Sequence, residues 1–512
     1  MANSSQTIKQ VSSFDESEIR IDPARVLAPV DPKIYSGFLE HLGRCIYGGI
    51  VDYGNAKLTN DKGFRLDVCQ ALKDLDMPVV RWPGGNFVSS YHWVDGIGPK
   101  EDRPRRPELA WLGEESNVFG TDEFMEWCEY MNVEPYICLN MGTGTLDEAL
   151  AWIEYCNSDR NTYYANLRRK NGREKPYNVK YWGLGNEVYG PWQVGQMSKE
   201  DYSKQAFQWA KAIRLLDPTV KLIGCGCTGF DDWDRYVTNE LIKSVDYHSI
   251  HLYTCHQDYY KNVTGPAAAE RGIQIAKNMF DLAKITQNAP DAPMKICFDE
   301  WNVWDPVRAD GSKGAEEQYD LSDALAVASW CNVFVRQAES VGMANIAQCV
   351  NVIAPIMTSP DGLFLQTTYF PFRLFSNYMR GNSLNVHVST PVYHGETDGN
   401  NLTLKWLKGV EPNLTLLDVS AVAKVENGQD VLYVAVVNRS ETDDATTAIK
   451  VDGTVAPAGA YRWTLYHDNI RATNTFASPN EVAVTEEAVS FANGSKVAFP
   501  KHSFTLLKIA LA

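Results

Sequence analysis

Long apolar runs are missing from this 512-residue chain. No stretch approaches the roughly 18 to 20 consecutive apolar residues that span a bilayer, which excludes a helical membrane protein. Met1 to Arg20 is polar and lacks the apolar centre of a secretory signal, so the expectation is a cytosolic protein. Six Asn-x-Ser/Thr sequons, at Asn3, Asn262, Asn401, Asn413, Asn438 and Asn493, keep open a secreted protein trimmed of its leader. Positive charge is also scarce. Lys and Arg number 48 against 64 Asp and Glu, a formal net charge of −16. That balance disfavours nucleic acid and anionic membrane surfaces as partners and suits a neutral substrate. The eleven Cys are odd in number and all lie between Cys45 and Cys349, mostly inside apolar runs such as Ile137-Cys138-Leu139. They read as buried free thiols, and Cys225 and Cys227 lack zinc-ribbon spacing. His248, His251 and His256 do not place three ligands on one face, so no metal is expected and His251 is assigned to hydrogen bonding within a pocket. Gly142-Thr-Gly-Thr145 lacks the Lys-Ser/Thr of a phosphate-cradling loop, and no cofactor is expected.

What the chain does have is aromatic side chains, 11% of the total with 14 Trp and 25 Tyr, which suit stacking on sugar rings. It also carries two carboxylates at the ends of apolar, strand-like runs: Glu187 after Val179 to Gly185, and Glu300 after Met294 to Phe298. Glycoside hydrolysis needs such a pair, one carboxyl to protonate the leaving oxygen and one ionised to attack or to activate water. The two are far apart in sequence, so the fold must bring them together. Eight β-like segments occur, at 35–42, 79–82, 135–141, 179–184, 221–227, 247–253, 294–301 and 344–353. Helical stretches at 64–75, 123–131, 146–155, 202–216, 267–285 and 321–336 alternate with them. This alternation predicts an α/β fold, a (β/α)8 TIM barrel with Glu187 and Glu300 at the ends of strands 4 and 7, on the face where such barrels carry their sites. Strand alternation sends Asp299 and Glu300 to opposite sides, with Glu300 toward the mouth and Trp301 continuing to the loop.

After residue 384 the texture changes to short β-branched runs, among them 414–425, 431–437, 446–451, 461–466, 488–491 and 504–509. This predicts an all-β, jelly-roll-like C-terminal sandwich of seven or eight strands with no Cys. Ile19-Arg20-Ile21 alternates and can pair into it. The expected organisation is therefore 1–30 contributing to the sandwich, 31–384 as the catalytic barrel and 385–512 as the sandwich, whose default role is packing against the barrel.

The segments Ser36 to Arg44, Arg81-Trp-Pro-Gly-Gly-Asn-Phe-Val88, Asn140 to Gly144, Trp182 to Glu187, Phe298 to Trp304 and Asn351 to Ile356 occur in one collinear order. Together they resemble the α-L-arabinofuranosidases of glycoside hydrolase family 51, over nearly the whole chain. The resemblance implies a retaining, exo-acting enzyme that removes terminal α-L-arabinofuranosyl residues from arabinan, arabinoxylan or derived oligosaccharides, often as a homo-oligomer. It makes Glu187 the general acid/base, kept protonated, and Glu300 the nucleophile. Arg81 is the candidate for holding Glu300 ionised. Glu40, Asn86, Asn186, Tyr253 and Gln366 match family sugar contacts, and Trp301 and Trp304 are candidates for stacking on a leaving-group sugar. Gly183 stands where the family often has Cys, which points to altered packing near the acid. Another barrel glycosidase, such as an endo-acting β-glycanase, and a non-catalytic carbohydrate-binding protein are the alternatives.

Overall fold

A computed structural model describes residues 6–254, 257–395, 414–453 and 460–511. His256 and the sequons at Asn3, Asn401 and Asn413 lie outside them. Eight parallel strands close into a barrel in chain order: β1 (Ser36–Phe38), β2 (Val79–Trp82), β3 (Glu134–Leu139), β4 (Tyr181–Leu184), β5 (Lys221–Gly224), β6 (Tyr247–Thr254), β7 (Lys295–Val303) and β8 (Val341–Ala347). Pairing of Tyr247 with Ile223 and of Asn345 with Ser36 completes the ring. Alternation sorts the side chains. Val79, Tyr136, Tyr181, Ile223, Cys297 and Met343 cluster with one another in the lumen, while Val80, Ile137, Trp182, Leu222, Ile296 and Ala344 join the larger core facing the helices. The lumen cluster is the floor on which the catalytic end stands.

Helices follow the strands at Leu66–Asp74, Thr121–Met131, Leu146–Asn157, Lys199–Leu216, Pro266–Thr286 and Leu321–Arg336, as the periodicity predicts. Four further helices, Asp232–Leu241, Tyr369–Tyr378, Tyr163–Lys170 and Tyr259–Thr264, escaped the sequence reading. The first is short, but its start carries a readable signal, the reciprocal cap between Asp231 and Asp234. The second begins in Tyr-Phe-Pro-Phe, an aromatic run without helical periodicity.

The C-terminal domain is a β-sandwich built on a hydrogen-bonded path of nine strands, with a tenth, Gln6–Gln10, pairing beside Asn382–Thr390. Glu18–Pro29 lies inside that path, antiparallel to Asn382–Thr390 and parallel to Ala445–Val451, with Ile19 opposite Ile449. Strand Asn382–Thr390 runs across the expected boundary at 384, because the last barrel helix ends at Tyr378 and the chain turns at Gly381. Strand Gln429–Asn438 is apolar on both faces for a reason. Leu432, Val434 and Val436 point into the sandwich core, while Tyr433, Ala435 and Val437 pack toward the barrel. Phe504 stacks on Phe375 at 5.3 Å across the same junction. Of the described sequons, Asn262 and Asn438 are fully buried and hydrogen-bonded, which leaves only Asn493 exposed for modification.

The junction is also ionic. Arg336, buried at the end of its helix, reaches Asp418 at 3.0 Å and Glu270 at 2.7 Å and donates to the Val419 carbonyl. Breaking such a buried pair leaves a carboxylate without its partner, at a cost of about 3 kcal/mol. Arg336→Met is expected to lower unfolding free energy by about that amount in urea titration; an unchanged midpoint would show that Arg439, 3.3 Å from Asp418, suffices alone.

Candidate active site

Arg81, on β2 and 1% exposed, organises the mouth. Its Nη1 donates to Glu300 Oε1 at 2.7 Å, its Nη2 donates to Asn186 Oδ1 at 2.6 Å, and its Nε lies 3.5 Å from Asp299 Oδ2. The Phe38 ring lies under the guanidinium, 4.5 Å from the centroid to Cζ. Tyr253, at the end of β6, donates to the other oxygen of Glu300 at 2.8 Å. Both oxygens of Glu300 are thus held by donors.

Glu187 sits just beyond β4, its backbone in the left-handed region at φ 44° after Gly185 at φ 82°. A non-glycine residue there costs about 1 kcal/mol or more, a cost accepted where the side chain must point one way. Its carboxylate accepts from His251 Nδ1 at 2.9 Å and from Trp192 Nε1 at 2.7 Å. Ligand atoms of Glu187, His251 and Glu300 all lie within 4.8 Å of one another. A divalent cation entering that triangle would have to displace the proton on His251 and compete with Arg81.

The expected protonation of Glu187 is corrected by its neighbour. Burial raises its carboxyl, but the hydrogen bond and charge of His251, with Trp192 and Arg81 added, hold it below the ordinary value. His251 has the opposite balance. Burial works against its charge, yet Glu300, Asp299 and its bonds to Asp299 and Glu187 push it up to about 10. In the free site the proton therefore rests on His251, shared toward Glu187.

Asp299 overturns the alternation argument for β7. Cys297 pairs with Ser249 and Glu300 with His251, so β7 spends one residue more than β6 over that interval; against β8 the same excess appears between Phe298 and Trp301. This bulge turns Asp299 and Glu300 both into the barrel. Asp299 accepts from Tyr136 at 2.7 Å and from Ser249, and lies 3.3 Å from His251 Nε2. Burial opposes its charge, but Arg81, His251 and Ser249 hold its carboxyl well below the usual range. Gly183 leaves room for this: a Cβ there would meet the Tyr136 hydroxyl at 2.9 Å.

Two expected sugar contacts are corrected. Trp301 is fully buried among Trp330, Phe334 and Phe372, because β7 runs on to Val303 and alternation turns Trp301 out toward the helices. Gln366 is fully buried and its amide is taken up by the backbone, accepting from Tyr319 N and donating to the Glu317 and Ala354 carbonyls. It braces the rim loops. Asn186, Tyr253 and Glu40 do lie beside Arg81 and Glu300. Glu40 accepts from Phe87 N, Trp111 Nε1 and Gln348 Nε2, and burial, followed by the nearby charge of Glu300, pushes its carboxyl up to about 7. The buried Nδ2 of Asn186 has no protein partner, and Asn86, half-buried at the start of a short 3-10 turn, makes no side-chain hydrogen bond among the described residues. Gly84 and Gly85 are needed for approach, since a Cβ would meet Glu40 Cγ at 2.6 Å or Glu300 Oε1 at 2.8 Å. Trp304 meets Tyr253 edge-on at 5.4 Å. Trp111, Trp192, Gln348, Tyr136 and Ser249 were missed by the sequence reading; of these Trp192, Gln348 and Tyr136 stood within a few residues of a recognised motif.

A parallel eight-stranded barrel with two carboxylates facing each other beyond strands 4 and 7 defines the class: a barrel glycoside hydrolase. Sequence comparison narrows this. Residues 71–271 match the family model described as α-L-arabinofuranosidase 1 domain, and residues 299–503 that described as α-L-arabinofuranosidase C-terminal domain. An Emericella nidulans protein named α-L-arabinofuranosidase C is 53% identical over 98% of this chain and 99% of its own. A Bacillus subtilis intracellular exo-α-(1→5)-L-arabinofuranosidase is 34% identical over 96% and 98%. The arabinose complex of a Thermotoga maritima α-L-arabinofuranosidase superposes with a TM-score of 0.89, at 40% identity, covering 97% of this chain and all of the other. The chain belongs to the family 51 α-L-arabinofuranosidases.

Neutralising Asp299 removes one of the charges that keep His251 protonated. Asp299→Asn is expected to lower the His251 pKa from about 10 by about one unit or more, read by nitrogen NMR of labelled imidazole; an unmoved titration would assign the charge to Glu300 and Glu187 alone.

Proposed function

We propose that the protein is a retaining, exo-acting α-L-arabinofuranosidase that releases terminal α-L-arabinofuranosyl residues from arabinan, arabinoxylan or their oligosaccharides. The observation that carries the reading is the closeness of the two carboxylates, with oxygens of Glu187 and Glu300 within 4.8 Å. Double displacement uses a separation of about 5 to 5.5 Å, whereas inversion needs about 6.5 Å or more to admit water. The names of the relatives support arabinofuranose as the sugar.

In the first step Glu300, held anionic by Arg81 and Tyr253, attacks the anomeric carbon. The glycosidic bond breaks as His251 Nδ1 passes its proton to Glu187 and Glu187 delivers it to the leaving oxygen, which leaves Glu187 ionised and His251 neutral. Ester formation removes the charge of Glu300, and with it part of the field that kept His251 protonated. In the second step Glu187 accepts a proton from water as the oxygen attacks the anomeric carbon, Glu300 leaves as carboxylate, and arabinose departs with its configuration retained. Asn186 Nδ2, Asn86 and Glu40 are the side chains proposed to hold the sugar hydroxyls. The catalytic unit runs from residue 31 to the helix that ends at Tyr378, and the chain from strand Asn382–Thr390 onward, with 1–30, forms the sandwich. Homo-oligomerisation remains part of the proposal, and so does a cytosolic location, which the name of the Bacillus relative supports. No helix of the described residues is long and apolar enough to cross a membrane.

Proton NMR of the first-formed sugar tests the mechanism: the α-anomer is expected, and the β-anomer would refute double displacement. Glu300→Ala should abolish turnover on every substrate. Glu187→Ala should cost about 10²- to 10⁴-fold on natural glycosides while sparing the first step on aryl glycosides with good leaving groups; equal loss on both would reverse the two roles. The site must hold one proton between Glu187 and His251, so activity falls at high pH where that proton is lost. With His251→Asn the proton has only Glu187 to sit on, and the alkaline limb of kcat/KM should move to lower pH by about one unit or more; an unmoved limb would exclude the shared proton.

A further inference from the structure

A second concave surface with sugar-binding chemistry lies away from the mouth. It is a groove of about 670 Å³ where the barrel meets the sandwich. Its barrel side is Tyr378, whose chain neighbour Met379 accepts through its carbonyl from Tyr35, just before β1. That places the groove near the N-terminal end of the barrel strands, opposite Glu187 and Glu300.

Four rings run through the groove in one contiguous strip. Tyr433 stacks on Tyr378 at 5.6 Å and 20°, Tyr378 lies 4.6 Å from Trp463 at 30°, and Trp463 meets Tyr461 at 5.0 Å and 51°. Tyr433 and Trp463 are buried and hold the strip rigid, while Tyr378 and Tyr461 are half-exposed and offer ring surface. Polar groups flank the rings. Glu426 accepts from the Tyr433 hydroxyl at 2.9 Å and is paired with Lys424 at 2.8 Å and Lys508 at 2.7 Å, and Glu486 lines the same groove. The lining is thus close to charge balance, which gives an ion little to answer. A neutral ligand with apolar ring faces and hydroxyls at its edges finds rings to stack on and carboxylates and an ammonium to bond. The volume lies within the roughly 300–1,000 Å³ that encloses a drug-sized ligand, enough for a short run of pentose units. A second copy of the chain is disfavoured as occupant. The strand bordering the groove, Val484–Val489, is the edge of its sheet and carries Glu486 and Glu487, charges that block edge-to-edge pairing.

We propose that this groove binds the backbone of a neutral pentose polysaccharide, so that the sandwich keeps the enzyme on the polymer whose side chains the barrel mouth trims. The proposal rests on the arabinofuranosidase reading for its choice of polymer. Holding the polymer at a second point raises its effective concentration at the mouth and leaves the chemistry untouched.

The test is affinity electrophoresis in gels containing arabinoxylan or linear arabinan, run in separate arms to identify the backbone, with Tyr461→Ala and Tyr378→Ala beside the unaltered chain. Both positions are half-exposed, and Tyr461→Phe, which keeps the ring, serves as the folding control. Retardation of the unaltered chain by at least one polymer is expected. The Ala variants should weaken it about five-fold or more, with Tyr461→Phe retaining most of it. On an aryl arabinofuranoside all of them should keep kcat/KM within about two-fold, because the groove is far from the catalytic pair. Retardation that is absent in the unaltered chain, or equal in the Ala variants, would overturn the proposal. So would a dimer, seen by sedimentation, that Tyr461→Ala dissolves, since that would assign the groove to a second copy. Failure of the activity reading shows separately, as loss of aryl arabinofuranoside turnover in the unaltered chain.

Discussion

One buried guanidinium sets the terms for the catalytic end of this barrel. Arg81 faces Asp299 and Glu300 from across the lumen and ties Asn186 to the same point. Carboxylates on successive residues of one strand, both nearly buried, would repel each other and shed a charge without such a partner. With Arg81 between them, and the β7 bulge turning both inward, the two carboxyls sit beside two cationic side chains, Arg81 and His251.

From that balance follows a division of labour among the acids. Asp299 is held by Tyr136, Ser249, Arg81 and His251. Glu300 is held at both oxygens yet faces the opening. Glu187 faces it from the left-handed turn after β4 and borrows its proton state from His251. Glu40 has no cation in direct contact, and burial leaves it near the point of half-protonation, able to donate to or accept from a hydroxyl. Four carboxyls of similar intrinsic chemistry are thereby given four behaviours by what surrounds them.

The sandwich is bound to this machinery by packing and by charge. Its central strand is apolar on both faces because one face is its own core and the other covers the barrel helices. Arg336 and Asp418 fix the register of that contact. The strip of rings at the far edge of the junction is part of the same packing, with its outermost members left open to solvent.

The barrel, its strand count, the sandwich and the two strand ends that carry Glu187 and Glu300 were legible in the chain itself, since periodic burial leaves a pattern in residue order. Of the partners of Glu187 and Glu300, Arg81 was legible in a motif and His251 and Tyr253 were singled out at the end of strand 6, whereas Trp192 was not. Asp299, Trp301 and Gln366 were misread for related reasons. A one-residue bulge reverses the sides of a strand, a strand two residues longer keeps a Trp in the helix layer, and a buried amide can spend itself on backbone. Residue order by itself determined the barrel strands, the six long helices between them and which carboxylates end two of the strands, because those depend on local periodicity. Where the proton sits, which acid reacts and which aromatic side chains meet a ligand were decided by the tertiary structure, because charge and burial act between side chains that only the closed barrel makes neighbours.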